Sequence, residues 1–165
     1  MKIVCNSSPI IGLSLIGRLD LLWEIFEEVI IPNEVFNEIT NEKAVNKVGA
    51  EELKAAVKKQ KIKVYIVKNT QMIEQLIGRL HKGELEVIFA AKELGINRVI
   101  IDDKPARYFA ETMLLKTIGL IGILVLAKDL GKIENIRSYM DVLLQNEYRI
   151  SLRLYNEILT KENEL

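Results

Sequence analysis

The sequence predicts an α/β domain, with a mostly parallel central sheet covered by helices on both faces in three layers. Three observations predict it. Continuous apolar runs, Ile3-Val4-Cys5, Val29-Ile30-Ile31 and Val99-Ile100-Ile101, suit strands buried on both faces. Segments with helical apolar spacing lie between them, and each connection exceeds the dozen or so residues that a parallel crossover needs. Strands also end on polar residues, Asn6-Ser7-Ser8 after the first and Asp102-Asp103 after a later one. That carboxyl edge is where open α/β sheets bind ligands.

Taken in order, Lys2 to Cys5 is a short strand, and Pro9 opens an apolar helix through Ile16. Leu19, Leu22, Trp23 and Phe26 recur at i, i+3, i+4 and i+7, a second helix with Trp23 in the core. Val29 to Ile31 is a strand, and Pro32 starts the helix that carries Val35, Glu38 and Ile39. Residues 49–60 are helical, and Ile62 to Val67 is an edge strand marked by its lysines. Thr70 to Arg79 is a helix, with His81 in the basic turn after it, read as solvated. The next helix runs from Gly83 to Leu94 and closes on Gly95 as a left-handed cap. Within it Glu84 shares a face with Val87, Ile88 and Ala91, whereas Glu86 projects elsewhere. After the strand at 98–101, Pro105 suits the first turn of a helix through Met113. A short extended piece near Leu115 to Thr117 precedes an apolar helix from Ile118 to Leu130, capped by Gly131. Helices near 135–145 and 151–161 finish the chain. With no repeat, low-complexity tract or linker, residues 1–165 read as one domain, its core at about 2–131 and its C-terminal helices at 132–165.

Composition narrows the class. Of 165 residues, 49% are hydrophobic and 28% charged, the balance of a globular protein. The single Cys5 excludes an internal disulfide framework and suits a cytoplasmic location. The longest apolar run, Ile118 to Ala127, is ten residues and too short to span a bilayer. Twenty-three basic residues balance twenty-three acidic ones, so the whole-molecule field does not steer the chain to nucleic acid. Locally, eight lysines between Lys43 and Lys68 face only Glu51 and Glu52. Lys54, Lys58, Lys59 and Lys61 are therefore candidate phosphate contacts, or a solvated amphipathic face.

The polar breaks make a constellation. Asn6 follows the first strand, Glu38 lies in the helix after the second, Glu84 starts a helix on its inward side, and Asp102-Asp103 end another strand. A parallel sheet can bring such positions to one edge, and converging carboxylates call for a hard divalent ion such as Mg²⁺ or Mn²⁺. Taken singly, Asp103 and Glu84 also serve as helix caps. A single His and the absence of CxxC and HExxH argue against zinc, and no glycine-rich phosphate loop is present. Arg107, one helical turn beyond Asp103, can pair with it or meet a phosphate. A phosphoacceptor receiver domain also uses acids at strand ends, but it expects an acidic pair where this chain has Asn6-Ser7.

Four motifs in order, Ile3-Val4-Cys5-Asn6-Ser7-Ser8-Pro9, Val29-Ile30-Ile31-Pro32 leading to Glu38, Gly83-Glu84-Leu85-Glu86, and Ile100-Ile101-Asp102-Asp103-Lys104 with Ala106-Arg107, resemble the PIN-like domains, specifically an uncharacterised prokaryotic branch. The resemblance implies an α/β/α sandwich and Mg²⁺- or Mn²⁺-dependent cleavage of single-stranded RNA. It places the family's first acid at Asn6, its supporting hydroxyl at Ser8, and its later acids at Glu38, Glu84 and Asp103 with Asp102 beside it. It also implies a toxin of a toxin-antitoxin pair, with an antitoxin protein as partner, and a homodimer. Asn6 departs from the pattern: an amide lends a carbonyl oxygen but no charge and cannot act as a base. Two functions follow, a ribonuclease weakened at Asn6 or a non-catalytic module that binds RNA or protein.

Overall fold

The computed structural model describes residues 1–44 and 47–165. Its sheet has five strands, β1 (Lys2–Cys5), β2 (Glu28–Pro32), β3 (Lys63–Tyr65), β4 (Arg98–Ile100) and β5 (Lys116–Ile118). Their order is β3-β2-β1-β4-β5 and every pairing is parallel. The central strands are the ones whose Val and Ile runs leave no solvent face: Ile3, Val4, Ile31, Val99 and Ile100 are fully or almost fully buried. β3 lies at the edge, where its exposed lysine costs nothing.

The helices, among the described residues, are α1 (Ser7–Leu15), α2 (Leu21–Ile25), α3 (Asn33–Thr40), α4 (Ala50–Lys58), α5 (Thr70–Leu76), α6 (Lys82–Leu94), α7 (Lys104–Thr112), α8 (Leu120–Asp129), α9 (Arg137–Gln145) and α10 (Leu152–Lys161). α6, buried along most of its length, lies on β1, β2 and β4 and against α3 and α5. α8 packs with α1 and α2, and α1 meets α9. No helix of the described residues is long and apolar enough to cross a membrane.

Several boundaries differ from the sequence reading: α1 opens at Ser7 ahead of Pro9, β3 is shorter than Ile62 to Val67, β4 stops at Ile100, and α5 stops at Leu76 short of Arg79. Pro32 ends β2, opposite Tyr65, and caps α3 with extended backbone instead of opening the helix. A strand's last residue spares the missing N–H as well as a helix's first turn does. Ile118 belongs to β5, because Ile100 pairs with it and the Ile101 N–H donates to its carbonyl. The helix begins only after Gly119, where a Cβ would stand 2.6 Å from Asp102 Oδ1. The segment from Leu19 to Phe26 is helical only over Leu21–Ile25, and Trp23 is half-buried against the core.

The C-terminal helices are integral. One apolar cluster extends from Ile3 through Ile136, Met140 and Leu143 to Leu159. Glu164 fastens the end: its carboxylate accepts from the amides of Ile136 (2.9 Å) and Arg137 (2.8 Å) and pairs with Lys128 at 2.7 Å. Burial works to raise this carboxyl, but Lys128 and the two amides outweigh it and hold it below the usual carboxylate range.

The strand order decides where a site can form. From β1 the chain winds outward through β2 and β3, then returns and winds the other way through β4 and β5. The crevice at the carboxyl ends of β1 and β4 is the topological switch point.

Candidate active site

Asn6 stands at that switch point, 5% exposed, its backbone N–H donating to the Ile100 carbonyl at 3.0 Å. It precedes α1 but its side chain makes no cap bond, and it lines the adjacent cleft. Val35 and Ile39 bury one stripe of α3, which leaves Glu34 and Glu38, four residues apart, on the stripe beside the cleft. Glu84 sits in the first turn of α6, 7% exposed, and accepts from the His81 backbone N–H at 3.1 Å. Asp103 caps α7 through Oδ2 and the Ala106 N–H at 3.2 Å. A cleft of about 340 Å³ gathers Asn6, Glu38 and Glu84, and a second of about 440 Å³ joins Glu84 to Asp103. His81 and Lys82 border both.

The electrostatics follow from that crowding. Loss of water raises the Glu38 carboxyl, opposed by a hydrogen bond from Ser7 and reinforced by the charges of Glu34 and Glu84. The residue keeps exposed surface, but its carboxylate end packs so closely on Gly83 that a Cβ there would collide with Oε1. Glu84 is raised chiefly by burial, against the His81 amide bond, with a further push from Asp103. Glu84 lines both acidic clefts, so it stands between Glu38 on one side and Asp103 on the other.

A family model described as a PIN domain matches residues 2–164. The chain belongs to the PIN domain family. No curated protein matches it significantly. The match covers nearly the whole chain, so the nuclease fold extends through the C-terminal helices.

In this PIN domain no three His, Cys, Asp or Glu side chains among the described residues stand as a ready-made metal cage. The donor chemistry fits a hard cation all the same. Glu84 and Asp103 each give one oxygen to an amide and keep a second, Glu38 is coupled to Glu84, and Asn6 brings a carbonyl oxygen to the same wall.

The other predicted residues lie elsewhere. Asp102 faces a third cleft of about 510 Å³ on the far side of the start of α7. Its Oδ1 accepts from the Leu120 N–H at 2.7 Å and its Oδ2 from the Tyr148 hydroxyl. Ser8 contacts the same Tyr148 hydroxyl at 3.3 Å. Burial and the Asp102 charge push the Tyr148 phenol far above its ordinary range. Arg107 makes no ion pair with Asp103; its Nη1 stands beside Gly119 in the third cleft. Lys54, Lys58, Lys59 and Lys61 are exposed on α4 and the turn after it and line none of these clefts, and Lys54 meets Glu51 at 3.5 Å.

The acidic clefts also contain residues that the sequence reading passed over. Glu34 was detectable as the i−4 neighbour of Glu38. Ser7, not Ser8, meets Glu38, since the first two residues of α1 point to different walls. His81, although exposed, borders both acidic clefts, a position that needs the fold to be known. Glu86 is 8% exposed, not free in solvent, and lies 4.0 Å from Lys82, which also pairs with Glu34 at 3.4 Å.

Proposed function

We propose that this PIN domain is a metal-dependent endoribonuclease that cuts single-stranded RNA in the acidic cleft. Glu38, Glu84 and Asp103, with the carbonyl oxygen of Asn6, are the residues that would hold Mg²⁺ or Mn²⁺. The observation that carries the reading is the pair of adjoining clefts beside the switch point that share Glu84, one lined also by Asn6 and Glu38 and the other by Asp103. When bound, the ion supplies a water acidified towards neutrality and neutralises charge on the phosphate. Glu38 lines the cleft with Asn6, Ser7 and Glu84, within which it would hold the ion or orient the attacking water. Arg79 and Lys82 border the cleft and hold the phosphate in place. Asp102 orients the start of α8 and acts on the reaction only through that frame. The setting that suits this reading is a cytoplasmic homodimer held in check by an antitoxin protein.

Asn6 favours a second reading, a non-catalytic module, because one formal charge is missing from the wall that would face the ion. Calorimetry with Mn²⁺ and a gel assay on an unstructured oligoribonucleotide separate the two. Binding and cleavage by the natural chain, both lost in Asp103→Asn, support the ribonuclease. Binding and cleavage that emerge only in Asn6→Asp support the module.

A further inference from the structure

The third cleft, on the other side of the start of α7, carries charge of the opposite sign. Lys104, Arg107 and Arg149 line it, and none of the three makes an ion pair or a side-chain hydrogen bond among the described residues. Its one carboxylate, Asp102, is held by the Leu120 amide and the Tyr148 hydroxyl, and three cations against this one acid leave the cleft an excess of two positive charges. Ile121, Leu154 and Ile158 line it with them, beside Tyr148. Three unpaired cations among apolar and aromatic side chains fit a ligand with fixed negative charges and apolar faces, which describes a nucleotide strand.

Position supports the assignment. Asp103 and Lys104 are adjacent in sequence, yet Asp103 lines an acidic cleft and Lys104 the basic one. From Asp103 to Arg107 the helix rises on the order of 6 Å, comparable to the spacing of successive phosphates along a single strand. A chain leaving the acidic cleft over the start of α7 therefore enters the basic cleft directly.

We propose that the cleft lined by Lys104, Arg107 and Arg149 is a phosphate-binding subsite that holds single-stranded RNA on the side of α7 opposite the acidic cleft. The proposal rests on RNA being the substrate of the acidic site, but its test does not require cleavage. A fluorescein-labelled oligouridylate is titrated with the full chain in metal-free buffer containing EDTA, at several salt concentrations, and anisotropy is read. Replacing Lys104, Arg107 and Arg149 together with Ala should weaken binding roughly tenfold or more at low salt and flatten the slope of log affinity against log salt by about 2, the value for three lost contacts on a single strand. Arg107→Lys in place of Arg107→Ala should recover part of the loss. Unchanged affinity and slope in the triple variant overturn the proposal, as does failure of the natural chain to bind the oligonucleotide at low salt. A polyglutamate peptide that depends on the three cations while the oligonucleotide does not assigns the cleft to an acidic protein partner, and also overturns it. RNA binding through the three cations without any cleavage in Mn²⁺ sinks the ribonuclease reading and leaves the subsite standing.

Discussion

Tyr148→Phe removes one hydroxyl oxygen from the wall of the basic cleft. That hydroxyl donates to Asp102 Oδ2 and reaches Ser8 Oγ, while the ring packs so closely on α1 that a Cβ at Gly12 would stand 2.9 Å from it. Phe preserves the packing, so the change isolates the hydrogen bond. A bond to a charged acceptor contributes about 1.5–3 kcal/mol, and Asp102 is left with the Leu120 amide alone. The expected loss is about 2 kcal/mol, which for a chain of this size lowers the melting temperature by roughly 4–8 °C. Calorimetric melting at neutral pH measures it. A double-mutant cycle with Asp102→Asn should return a coupling of at least about 1 kcal/mol, because the two groups touch. A variant that melts within a degree of the natural protein, or a cycle with no coupling, would refute the claim that Tyr148 holds Asp102 in place.

Glu38→Gln should stabilise the metal-free protein at neutral pH by about 0.2–0.5 kcal/mol, the size of a like-charge i,i+4 pair relieved on α3, while Mn²⁺ affinity falls in calorimetry. The sign is fixed by the raised carboxyl: the folded state binds that proton more tightly than the unfolded chain, so the natural protein gains stability as pH falls through the folded pKa, and the Gln variant lacks this gain. Gly83→Ala should fold normally, because the atom its Cβ meets is the far end of the flexible Glu38 side chain, yet lose roughly tenfold or more in cleavage rate as that carboxylate is displaced. Glu164→Gln should flatten the acid limb of stability: the lowered Glu164 carboxyl contributes above its unfolded value and loses that contribution as pH falls through the lower folded value, so melting curves between about pH 5 and pH 3 should converge.

The three central strands were legible because they are apolar without alternation, a pattern that burial on both faces imposes, whereas the edge strands β3 and β5 each begin with an exposed lysine. Glu38 and Asp103 were legible for a different reason, since each lies at or near the start of a helix that follows a strand, whereas Glu84 stands at the start of a helix that follows another helix and was legible only from its place on the inward face of α6. Asp102 could not be told from Asp103 by position, since adjacent residues at a strand end face different walls and only the arrival of Tyr148 decides which wall is whose. Ser7 and Ser8 present the same ambiguity at the start of α1. The boundary at Ile118 was misread because an apolar run cannot say where strand stops and helix starts; the steric demand of Asp102 on Gly119, seventeen residues away, sets it.

The contact between Ser8 and Tyr148 closes a loop of 140 residues. Synthesis from the N-terminus produces all five strands and the three carboxylates well before Tyr148 exists. Asp102 therefore takes its phenol partner, and the basic cleft one of its walls, from the last part of the chain, whereas the acidic clefts are lined by residues between 6 and 105. Joining residues so far apart carries a loop-closure cost that grows only slowly with separation.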